Sequence, residues 1–280
     1  MSESIPDDAG RFNWLRPKSS LGRARLSLLV SLAVLTAAAW AVTVYHALSM
    51  REPMDGMSDM AMSGMSAGGW SFASAAGFLV VWSTMMAAMM LPAAAPMIVV
   101  FASAQAGRER PTAVPTWIFV TGYLLVWVVT GAAVYVVVQV GTEAANFLSL
   151  TDRAKFAPLL LGFTLVAAGL YQFTQIKRAC LTHCRSPLAF VAQYWRDGWL
   201  GAFQMGMQHG TYCLGCCWAL FAVLIVAGIM SLAWMLLLTL AVLVEKVLPH
   251  GQRISTAIGV AFVALGLAVS IGAVPTPWLQ

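Results

Sequence analysis

Long apolar stretches separated by short polar connections run through most of this chain. An α-helix crosses the hydrocarbon core of a bilayer with roughly 17–25 mostly apolar residues. Backbone groups in lipid must find partners within their own segment, and no stretch alternates as barrel strands do, so helices are expected. The pattern predicts an all-α, polytopic transmembrane bundle with seven spans, at residues 26–48, 75–103, 113–139, 157–177, 203–229, 231–247 and 254–273.

Composition supports this class. The chain of 280 residues is 60% hydrophobic and only 10% charged, whereas soluble domains carry about 25% charged residues. The net charge of +5 therefore reports orientation in a membrane, and nucleic acid is not an expected partner. We expect a multi-pass protein of the bacterial inner membrane that lies in the lipid bilayer.

The basic residues predict the orientation of the spans. Cytoplasmic segments of membrane proteins carry an excess of Lys and Arg. With seven spans and a cytoplasmic N-terminus, only Arg51, Arg153 and Lys155 of the 16 basic residues fall on the outer side. The predicted topology is therefore N-in and C-out, with a cytoplasmic tail at residues 1–24 and one transmembrane helical domain at residues 25–280.

All five cysteines lie in one short part of the chain, together with two of the four histidines. The first group is "KRACLTHCR", in a predicted cytoplasmic loop at residues 178–202. If the fourth span continues as a helix, Cys180, His183 and Cys184 share one face, because positions i, i+3 and i+4 of a helix are neighbours.

The second group is "QHGTYCLGCCWALF", in the fifth predicted span. His209, Cys213 and Cys216 follow i+4 and i+3 spacing and form one stripe, with Cys217 about a quarter-turn aside. The polar start of this span is expected at the cytoplasmic boundary, so both groups lie at similar depth and can meet. Gly206-x3-Gly210 in the same span predicts a face for close helix packing.

Three interpretations of the cysteines remain open. As ligands, thiolates and imidazoles from two helices would hold one or two soft or borderline ions, copper or zinc. As redox groups, Cys213-x2-Cys216 would cycle with Cys180 or Cys184, through a transient disulfide because the cytoplasm is reducing. As packing groups, cysteines act as small hydrophobes, which fits Cys217 equally well. The clustering favours metal binding for the group as a whole.

The motifs around the cysteines also carry a resemblance. "YQFTQIKRACLTHCRSPL", "WRDGWLGAFQMGMQHGTYCLGCCWALF" and "LVEKVLP", together with "MMAAMMLPAAAPMI", resemble a bacterial family described as predicted metal-binding integral membrane proteins. That family carries a domain of unknown function, so the resemblance implies no reaction. It implies metal binding through the candidate ligands Cys180, His183, Cys184, His209, Cys213, Cys216 and Cys217.

Methionine is concentrated in the predicted outer loop at residues 49–73. This loop is polar and too rich in Gly, Ser and Asp to form a core. Thioether sulfur is a soft ligand that selects Cu⁺, whereas a low-complexity linker is the alternative interpretation. We expect the loop to collect copper through Met54, Met57, Met60, Met62 and Met65.

The second predicted span continues the methionine pattern. Two i, i+4 pairs form adjacent rungs on one helix: Met85 with Met89, and Met86 with Met90. Their Met-x3-Met spacing is similar to the pore motif of eukaryotic copper transporters, although methionine is also ordinary helix filler. Pro92 and Pro96 are expected to kink or interrupt this helix.

The motifs that the chain lacks narrow the function. No carboxylate lies in the middle of a predicted span, so a proton-coupled carrier lacks its usual group. No phosphate-binding loop, dinucleotide fingerprint, HExxH or GxSxG is present, and no nucleophile has an adjacent base, which argues against an enzyme.

We therefore predict an inner-membrane protein that handles copper. It would take copper up, or deliver it to a membrane metalloenzyme or a metallochaperone. The alternatives are a membrane thiol oxidoreductase that uses Cys213 and Cys216, and an accessory subunit of a membrane enzyme complex with a structural metal site.

Overall fold

A computed structural model describes residues 19–49, 70–106, 116–228 and 231–274. Within these ranges the chain folds into nine α-helices and no strand, which confirms the all-α prediction. The helices are α1 (Ser19–Ser49), α2 (Phe72–Ala106), α3 (Thr116–Asn146), α4 (Leu150–Tyr171), α5 (Gln175–Arg185), α6 (Pro187–Tyr194), α7 (Gly198–Ala227), α8 (Leu232–Val247) and α9 (Gly251–Ser270). The predicted loop ligands Met54, Met57, Met60, Met62 and Met65 lie outside the described residues.

Five of these helices are long and apolar enough to cross a membrane: α1, α2, α3, α7 and α9. The pair α4 and α5 passes the same test as one broken span, with a bend of 66°. Helix α8 has 16 residues, which at about 1.5 Å per residue reach less than the ~30 Å of a hydrocarbon core. Five or six spans therefore have the required length, while seven spans and the N-in orientation stay predictions.

The fourth predicted span does not continue into the first cysteine group. Helix α4 ends at Tyr171, and the hydroxyl of Thr174 accepts a hydrogen bond from the backbone N–H of Lys177 at 3.3 Å. A threonine in this position caps the N-terminus of a new helix. Cys180 and Cys184 therefore lie on the separate helix α5, and the predicted loop at residues 178–202 is largely helical.

Helix α2 is continuous through both of its prolines. Pro92 and Pro96 lie inside the helix from Phe72 to Ala106, so the helix is not interrupted there, whereas the alternative of a kink stays a prediction. The helix packs against α1 and α3. Neighbouring helices of this kind support a backbone from which proline has removed a hydrogen bond.

Helix α7 lies at the centre of the bundle, where it packs against α3, α4, α5 and α8. Its close contact with α3 depends on glycine. A Cβ atom on Gly206 would overlap the backbone carbonyl of Phe119, and one on Gly210 would lie 3.1 Å from the carbonyl oxygen of Tyr123. The predicted close-packing face is thus confirmed, and it brings Tyr123 of α3 to the cysteine stripe of α7.

We expect Gly206→Ala to destabilise the protein by about 1–3 kcal/mol, since α3 and α7 must separate to admit the methyl group. Gly141→Ala is the matched control on α3, because a Cβ there meets no atom within 4 Å. Thermal unfolding in detergent measures both variants. Equal unfolding temperatures for the two variants would contradict the close-packing role of Gly206.

Candidate metal centre

The centre is built on the part of α7 that carries three cysteines. Cys213, Cys216 and Cys217 are all buried. The thiol of Cys216 donates to the backbone carbonyl of Cys213 at 3.1 Å, and that of Cys217 donates to the same carbonyl at 2.8 Å. These local hydrogen bonds hold the thiols close to the helix, as polar side chains do when they bond to a carbonyl one turn earlier.

Helix α5 brings a fourth thiol to this group. The sulfur atoms of Cys184 and Cys216 lie 3.9 Å apart, and both are free thiols. Two sulfurs that each lie ~2.3 Å from one ion are separated by roughly 3.8–4.6 Å, depending on the angle at the ion. A disulfide requires about 2.05 Å. The separation is too long for a disulfide and lies within the range of two thiolates that share an ion, while the role of the pair as ligands stays a prediction.

Cys180 lies one turn before Cys184 on α5. It contacts a different part of α7. Its sulfur packs against Gly215, where an added Cβ atom would lie only 2.7 Å from it. The thiol is partly exposed. The structure thus places Cys180 beside the pair of Cys184 and Cys216, and its predicted role as a ligand stays a prediction.

His183 packs on an aromatic ring at the edge of the centre. Its imidazole stacks on Tyr212 with ring centroids 4.3 Å apart and planes 5° from parallel. Its Nδ1 atom lies 2.9 Å from the carbonyl oxygen of Ala179. This hydrogen bond stays within α5. The face of the imidazole ring lies against Tyr212 of α7.

His209 lies in an aromatic pocket one turn before Cys213. Its ring stacks on Tyr123 and Phe119, with centroid distances of 5.6 and 6.1 Å, and meets Phe190 edge-on at 5.6 Å. The side chain is buried, and among the described residues its Nδ1 atom has no hydrogen-bond partner. The predicted stripe of His209 and Cys213 therefore exists on one face, with the imidazole enclosed by rings.

Two residues outside the predicted set contact the sulfur of Cys213. The ammonium group of Lys246, on α8, donates to it at 2.8 Å, and the hydroxyl of Tyr123 lies 3.2 Å away. Neither residue was identified from the sequence. For Lys246, the sequence offered one signal, which is its position at the end of an otherwise apolar stretch, in "LVEKVLP".

A buried salt bridge involves the residue that precedes Lys246. Lys177 of α5 and Glu245 of α8 form a salt bridge of 2.7 Å, with side chains only 1% and 2% exposed. The guanidinium group of Arg185 donates to the backbone carbonyls of Glu245 and Leu248, at 2.9 and 2.6 Å. These contacts attach the end of α8 to α5 and thereby hold Lys246 beside the thiols.

The methionine rungs of α2 belong to the same hydrophobic core as the cysteines. Met85, Met86, Met89 and Met90 are each at most 1% exposed. Their burial fits packing, and their role as ligands stays a prediction. Across the part of the chain that is described, no three Cys, His, Asp or Glu side chains are arranged to hold a metal ion.

A known protein family matches the part of the chain that contains the candidate centre. The family model described as "PpoB2: Copper chaperone" matches residues 79–269. The matched range contains all five cysteines, both histidines of the centre, and the methionine rungs of α2. No match was found among curated proteins or among solved structures.

Proposed function

This chain belongs to the PpoB2 copper chaperone family, and from that premise we propose that it is a membrane-embedded protein that binds Cu⁺ between α5 and α7 and passes it on. The observation that carries the proposal is the pair of free thiols of Cys184 and Cys216, 3.9 Å apart on two different helices. This separation lies within the range for two sulfurs that share one ion.

The donor set favours Cu⁺ over Zn²⁺. Structural zinc is held by four ligands in a tetrahedron, and even catalytic zinc keeps three protein ligands. The described contacts place the sulfurs of Cys184 and Cys216 within reach of one shared ion, at 3.9 Å from each other. Soft thiolate donors select Cu⁺, so a two-sulfur site suits the copper of the family.

A membrane location is part of the proposal. Five helices have the length and apolarity to cross a bilayer, or six if the bent pair is one span. Copper would be collected by the methionine-rich segment at residues 49–73 and held more tightly at the thiol pair. It would then be delivered to a membrane metalloenzyme or a metallochaperone, since buried thiols on two separate helices can release an ion when the helices part.

Elemental analysis of the purified protein tests this function. We expect copper to co-purify with the wild-type chain under reducing conditions, and the double variant Cys213→Ser, Cys216→Ser to lose most of it, because a hydroxyl is a poor ligand for a soft ion. Cys217→Ser is the matched control, since the sulfur pair that carries the proposal does not include Cys217. Equal copper in the wild type and the double variant would refute the assignment.

A further inference from the structure

We propose that the groove between α1 and α2 binds an anionic phospholipid, with the lipid phosphate beside Arg25 and one acyl chain along the apolar part of the groove. The proposal rests on the membrane location of these helices and makes no use of the thiol pair, so it goes beyond copper handling. Its basis is two cavities that follow one another along the same pair of helices.

The first cavity lies near the start of α1 and has a volume of about 310 Å³. Its lining includes the exposed Arg25, the hydroxyl groups of Ser31 and Ser103, and Trp117 near the start of α3. Arginine binds phosphate through paired N–H groups, and basic pockets between transmembrane helices bind anionic headgroups. Tryptophan is enriched where a membrane meets water. This cavity therefore suits the phosphate of a lipid headgroup.

The second cavity follows the first along α1, away from Arg25, and has a volume of about 400 Å³. Leu29 and Leu32 line it from α1, and Leu91 and Pro92 line it from α2. Apart from Thr36, the side chains around it carry no polar atom. Because Leu29 is 44% exposed, the cavity opens at the surface of the bundle, where a lipid chain can enter from the side.

The two cavities together match one lipid molecule in length and in charge. Their lining residues on α1 run from Arg25 to Ala37, a distance of about 18 Å at 1.5 Å per residue. Half of the hydrocarbon core of a bilayer is ~15 Å thick. Among the described residues, no Asp or Glu lines either cavity. The groove therefore offers a partner to a phosphate and none to a headgroup ammonium, which favours an anionic lipid over a zwitterionic one.

Native mass spectrometry of the full chain in detergent tests the headgroup site by counting bound lipids. We expect the delipidated protein to bind phosphatidylglycerol more tightly than phosphatidylcholine with the same acyl chains. Arg25→Gln is expected to weaken phosphatidylglycerol binding by about fivefold, which corresponds to the ~1 kcal/mol that one basic residue contributes near an anionic membrane surface. Arg23→Gln is the matched control, because Arg23 is exposed on the same helix and lines neither cavity.

A second pair of variants tests the acyl part of the groove. Ala33→Phe places a ring in the second cavity and is expected to reduce phosphatidylglycerol binding. Ala38→Phe is its matched control, since Ala38 is exposed on α1 outside the cavity. Soluble glycerol phosphate carries the phosphate without acyl chains, and it is expected to bind far more weakly than the lipid.

Several results would overturn the proposal. Equal binding of the two lipids, or equal losses in Arg25→Gln and Arg23→Gln, would exclude a headgroup site at Arg25. Unchanged binding in Ala33→Phe, or glycerol phosphate that binds as tightly as the lipid, would exclude the acyl chain from the groove. A dimer that Ala33→Phe converts into a monomer would show that a second copy of the chain covers the groove instead.

Copper content, measured on the same samples, separates this proposal from the copper function. A chain that lacks copper and still binds phosphatidylglycerol at Arg25 contradicts the proposed function and supports the lipid site. A chain that carries copper and shows no preference between the two lipids overturns the lipid site and leaves the copper function standing.

Discussion

Replacement of Lys177 by methionine is expected to lower the free energy of unfolding by about 3–5 kcal/mol, the cost of breaking a buried pair by removing one partner. The carboxylate of Glu245 would be left in a site where it is 2% exposed, without the ammonium that now lies 2.7 Å away. Its other oxygen, Oε1, has no hydrogen-bond partner among the described residues. The remaining charge would therefore lose its closest partner.

Unfolding by denaturing detergent, followed by circular dichroism, measures this effect. The double variant Lys177→Met, Glu245→Gln is the matched control, because replacing both members of a buried ion pair is often close to neutral. It is expected to recover most of the lost stability. Equal stability of the single and double variants would show that the salt bridge does not stabilise the contact between α8 and α5.

Replacement of Cys184 by serine is expected to weaken Cu⁺ binding by at least about 100-fold, because changes outside the ligand set alone cost 10–100-fold in metal affinity. The sulfur of Cys184 lies 3.9 Å from that of Cys216. Among the described contacts, it is the cysteine sulfur of α5 that lies within 4 Å of a sulfur on α7. Without it, the ion would keep a single thiolate of the pair. Chelator competition under reducing conditions measures the affinity.

Cys180→Ser is the matched control for this experiment. Cys180 lies on the same helix, is partly exposed, and packs against Gly215 rather than completing the pair. Its replacement is expected to change the affinity by less than Cys184→Ser does. An equal loss in the two variants would show that α5 provides both of its sulfurs to the ion, and the two-sulfur geometry would then be wrong.

The sequence was sufficient for the helices themselves. Apolar stretches of this length form helices wherever backbone groups lack water, whatever their neighbours are. The spacing of Gly206 and Gly210 also predicted a close-packing face on α7, because such a face depends on one helix alone, and the structure places α3 against it. The clustering of cysteines indicated that α5 and α7 meet, and Cys184 does lie near Cys216.

Local sequence did not determine where the fourth span ends. The turn before Thr174 separates α4 from α5 with a bend of 66°. An apolar stretch that runs up to "QIKRACLTHCR" permits either a continued helix or a capped restart. The choice depends on the packing of α5 against α7, and it decides which way Cys180, His183 and Cys184 face.

What only the tertiary structure decided is the charge environment of the thiols. Lys246 and Cys213 are 33 positions apart, and Lys177 and Glu245 are 68 positions apart. No helical or strand periodicity relates residues at such separations, because these contacts depend on how three helices pack. The amino-acid sequence alone thus determined which segments are helical and where the sulfur lies, whereas the fold determined which cation faces it.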